Sequence, residues 1–488
     1  MSAAAANASS ALWRAAVPLA VGVVLALCPV PHGLAPHAWM YFAVFAAVMV
    51  ALVTEPLPTG ALGLIGVTLI AGLGLPFSVA QKSDPSFRLP AESVKWALAG
   101  FSNTTVWLIF GAFIFAMGYE KTGLGRRIAL MLVRRLGGST LGLGYAVMLA
   151  DLVLAPFTPS NSARSGGIIF PVVRAIPPLY GSLPGELARK IGAYLMWTAF
   201  AATCVTSSLF LTALAPNLLA LEMVKKATGL EVSWVQWLVG FAPIGLPLLL
   251  ALPWLVLKIY PPEIRTSAEV PPWAAQELAK VGAVTRREWT MAVLVVVALG
   301  LWIFAGQWID ATLVALAAIS LMVVGRVVTW DEIVAHTTAW NTFAWFATML
   351  TLADGLNKVG FITWFGQRSA AMLAGHSPLL VLVALVVFFF VVHYLFASLT
   401  AHTTAVLLVV LAAGAAIPDM PVRTLALLLV FSIGIMGVIT PYATGPAPVY
   451  YGCGYIGRRD FWRLGFIFGL IFLAALLLIG LPTLGAST

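Results

Sequence analysis

Charge is scarce in this chain. Only 9% of its 488 residues are Asp, Glu, Lys or Arg, 61% are hydrophobic, and the mean hydropathy is +0.99. A soluble protein of this length cannot cover its surface with so few charges, which excludes the soluble multidomain classes. Cysteine is nearly absent: Cys28, Cys204 and Cys453 lie scattered in apolar context, with neither disulfide-framework nor metal-ligand spacing. The six histidines likewise show no ligand pattern. No P-loop, dinucleotide-binding glycine pattern or serine–histidine–aspartate order is present, so enzyme chemistry has no support. The net charge of +9 does not point to nucleic acid, because the basic residues sit at the ends of hydrophobic runs rather than in one patch.

Those hydrophobic runs organise the chain. Stretches of about twenty apolar residues recur between Val17 and Leu481, each long enough to cross a hydrocarbon core as a helix. An all-α polytopic membrane protein with about eleven transmembrane helices is expected, since lipid leaves no water for unpaired backbone groups and barrel-type alternation is missing. Arg14 before a short apolar stretch also fits a signal peptide, but no cleavage motif follows and further spans come at once. The clusters Arg126, Arg127, Arg134, Arg135 and Arg458, Arg459 mark the cytoplasmic side, which places the N-terminus inside.

Two polar knots interrupt the pattern. Pro159-Ser160-Asn161-Ser162-Ala163-Arg164 is echoed 238 residues on (398 − 160) by Ser398-Leu399-Thr400-Ala401-His402-Thr403-Thr404. Ser102-Asn103-Thr104 is echoed at the same offset by Trp340-Asn341-Thr342. Each knot lies between apolar arms too short to span comfortably, over about 141–179 and 379–416, the pattern of a re-entrant hairpin. Two long apolar segments, about 191–223 and 425–451, are interrupted at Thr212 to Asn217 and at Ile439 to Pro446, and each reads as a broken helix. The expected organisation is an N-terminal tail and first span over 1–36 and a first repeat over 37–258. A cytoplasmic linker over 259–289 leads to a second repeat over 290–488. An odd number of crossings in each repeat inverts the second copy.

Paired hairpin tips and paired broken helices point to a binding site near the bilayer midplane. Free N–H groups at interrupted helix ends carry partial positive charge and suit a small anion. The candidate substrate ligands are Ser160, Asn161, Ser162, Arg164, Thr212, Ser398, Thr400, His402, Thr403 and Thr440. Arg164 and His402 occupy the same position of the two knots. Two readings stand side by side for each. They face the anion, or Arg164 braces hairpin carbonyls or pairs with Asp151 while His402 is a packing residue. Asp151 and Asp354 are expected as structural counter-charges.

The motifs Thr158-Pro159-Ser160-Asn161-Ser162-Ala163-Arg164 and Ser398-Leu399-Thr400-Ala401-His402-Thr403-Thr404, with the breaks around Pro216-Asn217 and Pro441 to Pro446, resemble the divalent-anion/sodium symporter family. They are most similar to the branch of citrate/succinate and tartrate/succinate antiporters and plastid 2-oxoglutarate/malate translocators. The resemblance covers nearly the whole chain. It implies a homodimer in a bacterial inner membrane, with a transport domain of hairpins and broken helices moving like an elevator. It also implies exchange of di- or tricarboxylates, with no cofactor and no bound metal. Sodium-coupled members carry Ser-Asn-Thr at both tips. Here Leu399 stands in the second, and leucine offers sodium no oxygen. The expectation is therefore that Arg164 and His402, as fixed positive groups, replace the sodium ions. The alternative is a sodium- or proton-coupled symporter for the same substrates.

Overall fold

The computed structural model describes residues 3–373 and 375–485. Regular structure among them is helical throughout, with one isolated bridge between Ser139 and Thr266. The chain is a polytopic, all-helical membrane protein. Six of its helical segments are long and apolar enough to cross a bilayer: Pro36–Thr54, Thr140–Phe157, Trp234–Ile259, Arg286–Phe304, Pro378–Leu395 and Arg458–Gly485. The pair Leu89–Ser102 and Thr104–Thr122, bent by 43°, makes a seventh if it is one span. Shorter apolar helices, such as Thr59–Gly72, Ala311–Val324 and Leu399–Ala415, pack among them.

Two helix–tip–helix units follow one plan. In the first, Thr140–Leu154 tightens through Ala155–Phe157 and the chain extends at Thr158 (φ −128°, ψ 96°). It then returns as a π-helix over Ser162–Ile169 and an α-helix over Phe170–Ala175. Pro159 keeps Thr158 out of the helical region. In the second, Pro378–Val392 tightens through His393–Leu395, extends at Phe396 and Ser398, and returns over Leu399–Ala415. Both return arms begin with the same serine cap. Ser160 Oγ accepts from the Ala163 N–H at 3.2 Å, and Ser398 Oγ accepts from the Ala401 N–H at 3.3 Å. The next residues, Arg164 and His402, donate their N–H to the Ser160 and Ser398 carbonyls at 2.9 and 3.1 Å.

Two further helices stop inside the protein. Gly192–Leu209 gives way to extended Phe210, a turn at Leu211–Ala213, extended Leu214, and a new helix over Ala215–Thr228 in which Pro216 occupies the first turn. Val422–Ile435 ends through Met436–Val438 in an irregular stretch holding Pro441 and Pro446, before the short helix Ala447–Gly452. These two helices touch where Ser208 meets Gly434. Ser208 Oγ donates to the Phe431 carbonyl at 2.8 Å and accepts from the Ile435 N–H at 3.1 Å. A Cβ on Gly434 would stand 2.6 Å from the Ser208 nitrogen, so the crossing requires glycine.

Three amphipathic helices appear where the hydropathy pattern marks only charged connections: Leu124–Leu136, Val270–Val281 and Phe361–Leu373. The second lies within the expected linker and packs on the first, with Arg126 bound to Glu277 at 3.0 Å, while Arg127 reaches Glu288 at the start of the helix Arg286–Phe304 at 2.8 Å.

Candidate functional site

Both tips open onto one cavity of about 310 Å³. The first tip contributes Pro159, Ser160, Asn161 and Ser162; the second contributes Ala397, Ser398, Leu399, Thr400 and Ala401. Leu214, Ala215 and Pro216 enter from the first break, Thr444 and Gly445 from the second. The facing wall is mostly apolar, with Leu52, Phe113, Trp345 and Phe346. The volume suits a small metabolite, at the low end of the range of ligand pockets.

Among the described residues lining this cavity there is no lysine, arginine or histidine. Its positive character comes from three helix starts that converge on it, at Ser162, Ala215 and Leu399. The first N–H groups of a helix have no partner inside it and carry roughly half a positive charge between them. Ser160 and Ser398 accept through their hydroxyl oxygens in capping, which leaves each O–H free to donate to an anion.

Five of the sequence-derived candidates line this cavity together: Ser160, Asn161, Ser162, Ser398 and Thr400. Arg164 does not. Its guanidinium is fully buried and turned inward, bound to Asp151 at 3.2 Å. It also donates to the Thr158 and Ala213 carbonyls, each at 2.9 Å, and to the hydroxyls of Ser207 (3.1 Å), Thr203 and Thr206 (both 3.3 Å). Thr206 donates in turn to Asp151. The expectation of an uncompensated arginine facing the anion is therefore corrected. Arg164 is neutralised by a carboxylate and ties the first tip to the first break. Asp354 is a counter-charge as expected, to Lys226 at 3.5 Å.

His402 also lies outside the cavity lining, packed with its ring centroid 4.3 Å from Phe389 and 5.0 Å from both Phe396 and His393. Neither ring nitrogen has a hydrogen-bond partner among the described residues. Thr403 turns back to the Leu399 carbonyl at 2.8 Å. Thr212 donates to the Pro156 carbonyl at 2.6 Å, and Thr440 is buried in the second break, where it accepts weakly from the Tyr442 N–H at 3.4 Å. Thr403 thus bonds within its own helix, Thr212 ties the first break to the first tip, Thr440 acts within a turn, and none of the three lines the cavity.

Sequence reasoning did not single out Thr444 and Gly445. Asn161 Nδ2 donates to Thr444 Oγ1 at 2.8 Å, tying the first tip to the second break. A Cβ on Gly445 would collide with Ser162 Oγ, so glycine is what allows this approach. Ser165 and Tyr450 make a second link between the same elements, with their hydroxyls 2.9 Å apart. The second tip is held the same way: His393 Nε2 lies 2.8 Å from the Ala443 carbonyl, and Tyr442 donates to the Tyr394 carbonyl at 3.1 Å. A larger cavity of about 540 Å³ lies behind the return arm of the first tip, bounded by Arg126, Trp273 and Glu277, and holds none of the tip residues.

Comparison with known proteins accords with this geometry. The family model described as the sodium:sulfate symporter transmembrane region matches residues 9–484. The citrate/succinate antiporter of Escherichia coli (strain K12) is 51% identical over 476 residues, covering 97% of this chain and 98% of that protein. The L-tartrate/succinate antiporter of Shigella sonnei (strain Ss046) is 50% identical over the same length and shares. The crystal structure of the Alcanivorax borkumensis YdaH transporter shares the fold, with a TM-score of 0.58 at 15% identity over 87% of this chain and 98% of that one. This chain belongs to the divalent-anion/sodium symporter family of membrane transporters, that of the sodium:sulfate symporter transmembrane region.

Proposed function

We propose that this chain is a secondary transporter that exchanges di- or tricarboxylates such as succinate, citrate and tartrate across a bacterial inner membrane, without sodium. The observation that carries the reading is the cavity between the two capped tips, with three helix starts and the donors Ser160, Asn161, Ser162, Ser398 and Thr400 around it. Planar carboxylates accept paired hydrogen bonds from such N–H and O–H groups. The half-identical antiporters support the substrate class.

The two tips share capping geometry at an offset of 238 residues (398 − 160), which supports two repeats, 37–258 and 290–488, joined by 259–289. In the proposed arrangement eleven spans place the N-terminus in the cytoplasm and invert the second repeat. The tips are re-entrant hairpins, and hairpins and broken helices move as one elevator against a homodimeric scaffold. The links of Asn161 to Thr444, Arg164 to Ala213, and His393 to Ala443 make tips and breaks one body.

Strict exchange then follows from desolvation. The Arg164–Asp151 pair travels as a neutral unit, whereas an empty site would carry unpaired N–H groups past Phe113, Trp345 and Phe346, where water cannot satisfy them. Each unpaired group in such surroundings is disfavoured by several kcal/mol. A bound dicarboxylate removes that barrier. Leu399 lines the cavity with an apolar side chain and supplies no cation ligand there. The test is counterflow in proteoliposomes. Labelled succinate should enter only vesicles preloaded with a di- or tricarboxylate, and a sodium gradient should not matter. Net uptake into empty vesicles driven by sodium overturns the reading in favour of a symporter.

A further inference from the structure

Among the described residues lining the cavity, one is charged, and its sign is unexpected: Glu55. An anion site gains nothing from a carboxylate in its wall. Glu55 is exposed, follows the helix Pro36–Thr54, and adopts a left-handed backbone conformation (φ 49°, ψ 54°). It is one of three non-glycine residues with positive φ in the described chain. Helices that end this way favour glycine or asparagine, because a Cβ is strained there. Strain of this kind persists only where the surroundings hold it, and it gathers at functional sites.

The surroundings do hold it. The Glu55 N–H donates to the Ala51 carbonyl at 2.8 Å. Pro56 and Pro58 stiffen the following residues, and Pro58 leads directly into the helix Thr59–Gly72. Asn341 then clamps the loop from the neighbouring helix Thr337–Lys358. Its Oδ1 accepts from the Gly60 N–H at 3.2 Å and its Nδ2 donates to Thr59 Oγ1 at 3.2 Å. The carboxylate itself has no hydrogen bond or ion pair among the described residues, so neither capping nor a salt bridge accounts for it. A rigid loop thus presents a free negative charge to a cavity whose other electrostatic features attract anions.

We infer that Glu55 is a charge filter: it sets the preference of the cavity for doubly over triply charged carboxylates. This rests on the carboxylate-exchange reading above. The helix starts attract every anion, but each further charge on the substrate also meets the repulsion of Glu55. For separations across a cavity of this size and dielectrics between a protein surface and water, that repulsion amounts to roughly a three- to tenfold discrimination per added charge. A tricarboxylate then enters best as its singly protonated dianion.

The experiment is inhibition of labelled-succinate counterflow by the full chain in proteoliposomes. The probes are tricarballylate, a trianion at pH 8 without a hydroxyl group, and malate, a dianion with one. For wild type, the tricarballylate-to-malate ratio of inhibitory concentrations should fall as pH drops from 8 to 5.5 and the third carboxyl protonates. In Glu55→Gln the ratio at pH 8 should fall roughly three- to tenfold and lose most of its pH dependence. Glu55→Asp, which keeps the charge, should retain the wild-type ratio. An unchanged ratio in Glu55→Gln, or a wild-type ratio insensitive to pH, overturns the filter while leaving exchange intact. Wild-type vesicles that exchange no dicarboxylate overturn the exchange reading itself.

Discussion

Replacing Asp151 with asparagine separates the two roles open to Arg164. The substitution preserves shape and removes the one negative charge bound to a guanidinium with no solvent exposure. Breaking a buried ion pair by removing one partner costs about 3–5 kcal/mol. The two carbonyls at 2.9 Å and the three hydroxyls within 3.3 Å still share the positive charge, which places the expected loss near the lower end, about 3 kcal/mol. Thr206 also loses a charged acceptor. Replacing both partners, in Asp151→Asn with Arg164→Met, removes the stranded charge, and such apolar exchanges are often close to neutral. The double variant should therefore be more stable than Asp151→Asn alone. Tryptophan fluorescence during denaturation of the purified protein in detergent measures all of these species. If Asp151→Asn unfolds like wild type, or if Arg164→Met keeps full stability and only raises the succinate KM, then Arg164 is a substrate ligand and the positioning argument is wrong.

Asn161→Ala and Thr444→Ala each break the same 2.8 Å bond, so each should reduce counterflow strongly while the double variant is little worse than either; independent, multiplying losses would separate the two residues. Gly445→Ala should reduce exchange by displacing Ser162 from the tip. Gly434→Ala should instead lower stability, because its Cβ would meet backbone at Ser208, and a melting curve distinguishes the two effects. Near the end of the helix Thr104–Thr122, hydrogen bonds from Lys121 pull the Glu332 carboxyl down to about 2 from its ordinary value of 4.5. The group favours the folded state above pH 4.5, and that contribution fades as pH falls toward 2. Glu332→Gln should thus be less stable than wild type by under about 1 kcal/mol at neutral pH, both partners being partly exposed, with the two converging in acid.

The parts of the site legible in the sequence are those in which one stretch carries its own signal. Pro159, Pro216, Pro441 and Pro446 interrupt apolar runs and mark both breaks and the first tip. The serine caps are legible because a cap acts within three residues, so the recurrence of Ser160 at Ser398 preserves the geometry. What escaped depends on distance through space. The sequence offers the pairing of Arg164 with Asp151, 13 residues away, beside the outward-facing reading, and only the folding of the two arms chooses between them. Thr444 reaches Asn161 across 283 residues. The turn signal at Glu55 is visible in the sequence, but its place in the cavity wall is set by the clamp from Asn341. The amphipathic helices at Leu124–Leu136 and Val270–Val281 were hidden because their charges, read along the chain, look like connecting segments.

The placement of Arg164 bears on how a carrier of this kind can bind anions tightly without being trapped by them. A free arginine in the cavity would attract a dicarboxylate strongly, but after release the bare charge would be stranded, at several kcal/mol in a poorly hydrated site. Arg164 is bound to Asp151 outside the lining of the cavity, so its charge adds little to the difference between empty and loaded states. That difference is left to the helix starts at Ser162, Ala215 and Leu399, whose partial charges are fixed by the backbone. Their strength depends on where the tips are held, and Arg164 holds the first by binding Thr158 before it and Ala213 in the first break. The buried cation on this account shapes the site without entering it. Substrate affinity should then follow the integrity of the tips more closely than the number of positive side chains nearby.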